Sequence, residues 1–236
     1  MTRPFDAAAK AAEVGGFWPL ADAESTDEPR TMVVRAVDAA TLRGVMASYH
    51  YSGRMPDAVQ ECFAGYYGVT FAGGIAFGPG AASVRTELPG LNPQEVRELV
   101  RLWSPDGMPR NTESRLISQS LRRLPRQVRL VVSFSDPSEG HVGTIYQATN
   151  AVYLGMSGGG TRYVTSTGER LHGRLAGVYR MRHTEYAGMS NAAIATAEGW
   201  VAQETGGKHR YGWALGSRAD KRALAALSLP YPKAVA

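Results

Sequence analysis

The segment 130–155, LVVSFSDPSEGHVGTIYQATNAVYLG, holds side chains whose types and spacing suit ligand binding and acid–base chemistry. Its apolar start predicts a buried strand that ends near Ser135. Asp136 follows at once, and Tyr146 falls within the helix-capable stretch after it. Hydroxyl and carboxylate groups at the carboxyl end of a buried strand, beside a helix start, are where open α/β folds bind ligands. We therefore expect Ser133, Ser135 and Asp136 to line a cleft.

Two histidines lie near such groups. His50 belongs to a polar and aromatic loop at 49–56, YHYSGRMP. His141 precedes Tyr146 by five residues, about 140° around an ideal helix, so both can face one point only if His141 lies in the helix cap. Imidazole, phenol and carboxylate groups are ligands that iron accepts, although no spacing here is diagnostic. The residues of suitable types are His50, Tyr51, Asp136 and His141.

A second carboxylate, Glu98, lies in an alternating segment at 95–103. Burial among apolar side chains would raise the pKa of Glu98, which makes Glu98, like Asp136, a candidate base. The alternative is that Glu98 is a structural residue at the sheet edge or in a salt bridge. With period-two alternation, one face of the predicted strand carries Val96, Glu98, Val100 and Leu102. The other face carries Arg97, Leu99, Arg101 and Trp103.

The elements that must position these groups follow from hydrophobic patterning. Strands are predicted at 31–37, 62–70, 71–77, 95–103, 130–135, 151–154 and 209–215, with a hairpin at 163–172. Helices are predicted at 39–48, 112–124, the stretch after residue 140, and 190–204. The order β-α-β-β-β-α-β-α-β predicts an α/β (α+β) fold with a mixed central sheet and helices on both faces. Residues 1–30 form a polar N-terminal extension, and residues 31–236 form a single domain with a basic C-terminal segment.

The amino-acid composition limits the classes of protein to which this chain can belong. The 236 residues are 44% hydrophobic and 20% charged, which is typical of a soluble globular protein. The single cysteine, Cys62, excludes an internal disulfide framework and a cysteine-built zinc site. No apolar run reaches the roughly 18 residues of a membrane span, and the N-terminus lacks the apolar core of a signal peptide. A cytoplasmic location without membrane association is expected.

Positive charge is concentrated in two segments. Residues 97–129 hold eight arginines against three acidic residues, and residues 201–236 hold six basic residues against two acidic ones. With a pI near 9.4, this distribution suits a polyanionic partner, although a solvated charged face is the alternative for any single residue. The candidate contacts to the backbone of a nucleic acid or another polyanion are Arg122, Arg123, Arg126, Lys208 and Arg210.

The element order and spacing resemble the GNAT acyltransferase fold. In that family, the strand at 95–103 and the helix that starts at Thr112 would hold a cofactor pyrophosphate on free backbone N–H groups. The loop here, SPDGMPRNTESR at 104–115, has a single glycine where the family usually has two small residues. Tyr146 matches the family's helix tyrosine, often a general acid. The resemblance implies an acyl-CoA-like donor; its candidate binding residues are Arg101, Ser114, Arg115 and Ser133.

At finer grain the chain resembles the phage Mom DNA-modification family. The resembling pieces are HYS at 50–52, ELVR at 98–101, SR at 114–115, SFSDP at 133–137, GH at 140–141, IYQ at 145–147, LHGR at 171–174 and PYPK at 230–233. The resemblance implies a GNAT-like fold and the addition of a carbamoylmethyl group to the exocyclic amine of adenine in phage DNA, which protects it from host restriction. Arg174 would lie near the target base.

This chemistry sets requirements that the residues can meet. Adenine lies inside the duplex and must be flipped out of double-stranded DNA. A site needs an aromatic slot, a proton acceptor and an activated small-molecule donor, which a metal can help to activate. Tyr49, Tyr51, Trp103 and Tyr146 can supply the slot. Two alternatives stay open: a conventional GNAT N-acetyltransferase that uses acetyl-CoA on a small amine or protein, and a non-catalytic DNA-binding protein. The oligomeric state is open.

Overall fold

The computed structural model describes residues 31–50, 52–80, 88, 90–173 and 175–233. The predicted extension at 1–30 and two candidate site residues, Tyr51 and Arg174, lie outside the described residues. In chain order the strands are β1 (Val33–Ala36), β2 (Glu61–Tyr67), β3 (Thr70–Pro79), β4 (Val96–Trp103), β5 (Leu130–Ser135), β6 (Val152–Met156), β7 (Gly160–Val164), β8 (Arg170–His172), β9 (Val201–Thr205) and β10 (His209–Ala214). The helices are α1 (Ala39–Tyr49), α2 (Thr112–Leu121), α3 (Thr144–Gln147), α4 (Leu175–Arg182), α5 (Asn191–Ala197) and α6 (Arg218–Ala226).

Seven strands form a mixed sheet in the order β1-β2-β3-β4-β5-β10-β6. The first four are antiparallel neighbours, and β4 and β5 are parallel, joined through α2. Alternate residues of β5 face opposite sides: Val131 packs in one core cluster with Leu116 of α2, and Val132 packs in another with Leu224 of α6. The predicted mixed sheet with helices on both faces is confirmed.

The described residues divide into two compact units. The sheet unit comprises residues 31–135, 143–155 and 210–233, and the inserted unit comprises residues 136–142 and 156–209. The inserted unit has its own three-stranded sheet, in the order β8-β7-β9, and its own core, built around Tyr163, Ile194 and Trp200. The predicted hairpin at 163–172 is confirmed as the antiparallel pair β7–β8.

The predicted helix at 190–204 is wrong in its second half. Helix α5 ends at Ala197, and residues 201–205 form β9. Gly199 adopts φ +68°, its N–H donates to the Thr196 carbonyl, and the Trp200 N–H donates to the Ala195 carbonyl. This is a Schellman ending, in which a left-handed glycine closes the helix.

The remaining helices differ from expectation in extent. Helix α1 starts where predicted, with Asp38 Oδ1 accepting from the Thr41 N–H at 2.6 Å. Helix α3 spans four residues, and α4 and α6 were not predicted. None of the described helices is long and apolar enough to cross a membrane.

Candidate active site

The parallel strands β4 and β5 separate toward their carboxyl ends. Their residue pairs run from Val96–Leu130 to Leu99–Ser133, whereas β4 stays paired with β3 as far as Trp103. The register between β3 and β4 shifts at Ala76/Phe77, which marks a bulge at Val100. Bulges re-aim side chains and are frequent beside active sites. The carboxyl ends of this separated pair are therefore the candidate site.

The bulge overturns part of the predicted face assignment in β4. Leu99 and Leu102 pack against the same core cluster, whereas Val100 and Trp103 pack against another. The grouping of Val100 with Leu102 is therefore wrong, because one extra residue reverses the alternation after Leu99. Glu98 precedes the bulge and is half-buried, opposite Val132 of β5 and Gly78 of β3.

Aromatic side chains gather at the end of β4. The Trp103 ring stacks on Tyr49, the last residue of α1, with ring centroids 5.0 Å apart, and on Phe71 of β3 at 6.3 Å. The structure thus brings together two of the four residues predicted to form an aromatic slot. Tyr146 belongs to a different ring cluster, with Tyr211 and Trp213.

The His50 loop is bound to β4. The Ser52 N–H donates to Nδ1 of His50 at 3.1 Å, so that nitrogen is an acceptor and the neutral ring carries its proton on Nε2. The Ser52 hydroxyl lies 2.8 Å from the same nitrogen and 3.1 Å from the Arg54 carbonyl. Nε of Arg101 donates to that carbonyl at 2.8 Å. Two residues predicted for different roles, His50 and Arg101, therefore belong to one hydrogen-bonded network.

The amino end of α2 offers donors that suit an anion. Asn111 precedes the helix with φ +68° and makes no side-chain cap. Among the described residues, the N–H groups of Glu113 and Ser114 have no acceptor, and buried Nε of Arg115 has none either. The Ser114 hydroxyl donates to the Asn111 carbonyl at 3.0 Å. Two unused amides and a guanidinium at a helix amino end fit a negatively charged donor group.

The two serines of β5 are buried. Ser133 is fully buried, and its hydroxyl donates to the Leu99 carbonyl at 3.1 Å, at the last pair of β4 and β5. Ser135 is 5% exposed. Ser133 therefore ties the two strands together just before they separate, which is a structural task for a residue predicted to bind a cofactor.

Tyr146 lies in a cluster of aromatic rings. It is 8% exposed, and its ring is 5.3 Å from that of Tyr211 and perpendicular to Trp213 at 5.6 Å. Tyr211 is fully buried and also contacts Tyr153 at 5.3 Å. Burial is the main cause that raises the pKa of Tyr211. The ring of Tyr146 therefore lies among aromatic side chains.

Gly143 permits this arrangement. It starts α3 with φ +76°, and a β-carbon there would overlap the Tyr211 ring. Gln147 of the same helix donates from Nε2 to the Tyr211 hydroxyl at 3.0 Å. Sequence reasoning missed Gln147, Tyr211 and Trp213 as parts of the site. Tyr211 and Trp213 alternate along β10 and so share one face, a signal that was present in the sequence.

Asp136 and His141 belong to the inserted unit. Asp136 Oδ1 accepts from the N–H and hydroxyl of Ser138, at 3.0 and 2.7 Å, and Oδ2 lies 2.9 Å from Nζ of Lys208. Burial alone would raise the pKa of Asp136, but the Ser138 and Lys208 interactions outweigh it and hold that pKa below its usual value. A base needs the opposite environment. His141 is exposed and precedes α3, so it lies outside that helix.

The described residues give the iron hypothesis no support. Within 31–233, leaving out the masked positions, no three His, Cys, Asp or Glu side chains lie close enough to hold a metal ion. His50 belongs to the sheet unit, whereas Asp136 and His141 belong to the inserted unit.

The predicted DNA-contacting residues fall into two groups. Arg122, Arg123 and Arg126 are exposed at and after the end of α2. Within this group, Nη1 of Arg123 donates to the Gln119 carbonyl at 3.0 Å. In the second group, Lys208 forms an ion pair with Asp136, and Nη2 of Arg210 donates to the Leu154 carbonyl at 2.8 Å. Among the described residues, no carboxylate forms an ion pair with the first group, which is the better candidate to meet a polyanion.

Comparisons with known proteins give the chain a family. The sequence model of the Mom protein family matches residues 31–233. The "Methylcarbamoylase mom" of Escherichia phage Mu is 33% identical over 141 residues, which is 58% of this chain and 56% of that protein. The chain thus matches about half the length of this curated relative.

Solved structures of acetyltransferases are more distantly similar to this chain. A Bacillus subtilis acetyltransferase in complex with CoA is 11% identical, with a TM-score of 0.42 over 78% of this chain and 99% of that one. An aminoglycoside N(6')acetyltransferase from Legionella pneumophila is 8% identical, with a TM-score of 0.44 over 81% and 95%. The assignment depends on the sequence match, which covers most of the chain: this chain belongs to the Mom protein family.

Proposed function

We propose that this chain is a transferase that adds a carbamoylmethyl group to the exocyclic amine of adenine in double-stranded phage DNA. The observation that carries the proposal is the family match over residues 31–233, supported by a relative named as a methylcarbamoylase. The modification would protect the DNA from restriction in the cytoplasm of the host cell.

DNA is the proposed macromolecular partner. The target amine lies inside the duplex, so the adenine must be flipped out to react. Three exposed arginines at and after the end of α2, Arg122, Arg123 and Arg126, are proposed to contact the phosphate backbone. The stacked pair Tyr49 and Trp103 at the end of β4 is proposed as one wall of the slot for the base.

The reaction requires two proton movements. When the adenine nitrogen bonds to the methylene carbon, the bond between that carbon and the donor's departing group breaks, and the departing group keeps the electron pair. The nitrogen then loses one proton, and the departing group gains one. Phenols are protonated at neutral pH, so Tyr146 is the proposed acid. Glu98, half-buried in β4 just before the bulge, is the proposed base.

The donor is proposed to be a small molecule with an anionic, coenzyme A-like group. The N–H groups of Glu113 and Ser114 and the guanidinium of Arg115 would hold that group. When bound, the donor supplies the activated carbon for transfer. Arg101 and the His50 loop lie in one network at β4 and would orient the reacting groups.

The test is to express the chain in bacterial cells and to analyse the digested DNA by mass spectrometry. The expected product is deoxyadenosine with the added mass of one carbamoylmethyl group, absent from cells that express Tyr146→Phe. Deoxyadenosine of unchanged mass in cells that contain the folded wild-type protein would contradict the proposal.

A conventional N-acetyltransferase is the second candidate. The unused amides at the start of α2 favour it, because they suit any pyrophosphate-bearing donor. This alternative predicts tight binding of acetyl-CoA by calorimetry and acetylation of a small amine or protein, with no altered nucleoside. The two outcomes are separable in the same preparation.

A further inference from the structure

The chain after α6 returns to the neighbourhood of Tyr146. We call Leu229–Lys233 the return segment. The Leu229 N–H donates to the Tyr153 carbonyl at 3.0 Å, which attaches the segment to β6. The Tyr231 hydroxyl donates to the Ala151 carbonyl at 2.7 Å, and the Tyr231 ring lies 6.4 Å from that of Tyr211. None of these contacts has a part in the proposed chemistry.

Two routes lead from the return segment to Tyr146. Along the backbone, Tyr231 donates to Ala151, whose own N–H donates to the Tyr146 carbonyl at 3.1 Å. Through side chains, Nε2 of Gln147 lies 3.4 Å from the Pro232 carbonyl and 3.0 Å from the Tyr211 hydroxyl, and the Tyr211 ring contacts that of Tyr146. One amide nitrogen has two protons, so Gln147 can serve both acceptors at once.

Helix α3 is short. It has four residues and starts at a glycine without a side-chain cap, and such a short helix has little stability of its own. Core packing of Tyr146 and the Thr149 hydroxyl, which donates to the Tyr146 carbonyl and accepts from Nε1 of Trp213, hold it on the sheet side. An acid that must deliver a proton has to be held within a fraction of an ångström. A four-residue helix cannot provide that by its own hydrogen bonds, whereas both routes above fix its backbone and its ring.

We propose that the return segment is a clasp that positions Tyr146, with Tyr231 and Gln147 as the positioning residues. The inference rests on the proposed function, in which Tyr146 is the acid. Neither residue touches the substrate. Each acts on Tyr146 from a different side, Tyr231 through the peptide at Ala151 and Gln147 through the Tyr211 ring.

The experiment combines a double-mutant cycle with hydrogen exchange. The variants are Tyr231→Phe, Gln147→Leu and the double variant. The control is Tyr186→Phe, which removes a tyrosine hydroxyl that donates to Glu198 in the inserted unit. Modified adenine from cells is measured per amount of folded protein. Amide exchange at Tyr146, Gln147 and Ala151 is measured on the purified chains, with α1 amides as the internal reference.

Each single variant is expected to lower the yield of modified adenine by about 10-fold, because small misplacements of a reacting group are costly. The double variant should be about as low as the worse single, since both act on one group. Exchange at the three amides should rise about 10-fold while α1 stays unchanged. The Tyr186 control should remain within about twofold of wild type.

Other outcomes overturn the clasp. Wild-type yield in either single variant would do so, as would losses that multiply in the double variant. If the wild-type chain itself makes no modified adenine, the proposed function fails, and the clasp is then judged by amide exchange alone. Unchanged exchange at the Tyr146 amide in Tyr231→Phe overturns the clasp. Faster exchange at that amide supports it.

Discussion

The ring cluster around Tyr146 and the ion pair at Asp136 both follow β5, yet they hold their central groups in opposite ways. The ring of Tyr146 packs against the rings of Tyr211 and Trp213. Asp136 is held ionised by Lys208 and Ser138. A phenol can give a proton to a substrate, whereas a carboxylate bound by a lysine and a serine stabilises its own loop. The contrast supports the proposal that the first region serves the chemistry and the second the structure.

The sharpest test of the contrast is Tyr146→Phe. This substitution removes the hydroxyl that is the proposed acid but keeps the ring and its contacts. The yield of modified adenine should therefore fall by at least about 100-fold. The melting temperature should change by only a few degrees, because the loss of one hydroxyl changes the free energy of unfolding by about 1 kcal/mol. Both are measured on the same preparation, by nucleoside mass spectrometry and by calorimetry.

The matched control removes a buried hydroxyl elsewhere. Tyr163→Phe changes a tyrosine that is 4% exposed in the core of the inserted unit, and the yield should stay within about threefold of wild type. Equal losses in the two variants would show that Tyr146 matters for folding and not for proton transfer.

Two glycine substitutions, one in each region, allow a direct comparison of the two regions. Gly143→Ala and Gly140→Ala each place a β-carbon at a left-handed residue, with φ +76° and +75°. At Gly143 that carbon overlaps the Tyr211 ring, whereas at Gly140 nothing lies within 4 Å. We expect Gly143→Ala to lower the free energy of unfolding by about 2–3 kcal/mol, and Gly140→Ala by about 1 kcal/mol.

Urea unfolding monitored by fluorescence gives both values. The modification yield should fall only in Gly143→Ala, because its overlap displaces Tyr211 and through it Tyr146. Equal destabilisation by the two substitutions would mean that the Tyr211 ring moves aside freely and that the cluster is not rigid.

Patterns that depend on near neighbours in the chain were predictable. The apolar runs gave β4 and β5 within a residue, and Asp38 marked the start of α1. The capping box of α6, formed by Ser217 and Asp220, is a local sequence pattern from which the start of this unpredicted helix could have been predicted. The end of α5 was likewise encoded in Gly199.

What could not be predicted depends on residues far apart in sequence. The bulge at Val100 arises from the pairing with β3, so no local pattern announces it. The Asp136–Lys208 pair joins residues 72 positions apart, and the Gln147–Tyr211 hydrogen bond joins residues 64 apart. Tyr146 and Asp136 looked alike as polar groups after a strand, and only their distant partners distinguish them.

The third test is Asp136→Ala, measured against pH. Loss of the ion pair and of the cap on Ser138 should cost about 1 kcal/mol of unfolding free energy near neutral pH. The folded-state pKa of Asp136 is lowered, so its contribution is present above the ordinary aspartate value of 3.8 and is lost as pH falls through the lowered value. The difference from wild type should therefore shrink below about pH 4.

Urea titrations between neutral and acidic pH check this prediction, and the yield of modified adenine is measured in parallel. We expect the yield to change by less than about threefold, since the carboxylate stabilises its loop. A loss as large as that of Tyr146→Phe, without a pH-dependent change in stability, would reverse the assignment and make Asp136 the base.

The smallest expected effect concerns Lys208. A lysine that contacts a DNA phosphate contributes about 0.9 to the slope of log affinity against log salt. Because Lys208 pairs with Asp136, Lys208→Met should leave that slope unchanged, whereas Arg123→Ala, at the exposed end of α2, should reduce it by about 0.9. Fluorescence anisotropy with a labelled duplex at several salt concentrations measures both slopes. A reduction for Lys208→Met equal to that for Arg123→Ala would mean that the lysine leaves its carboxylate for the DNA, and the Asp136 region would then serve binding as well as stability.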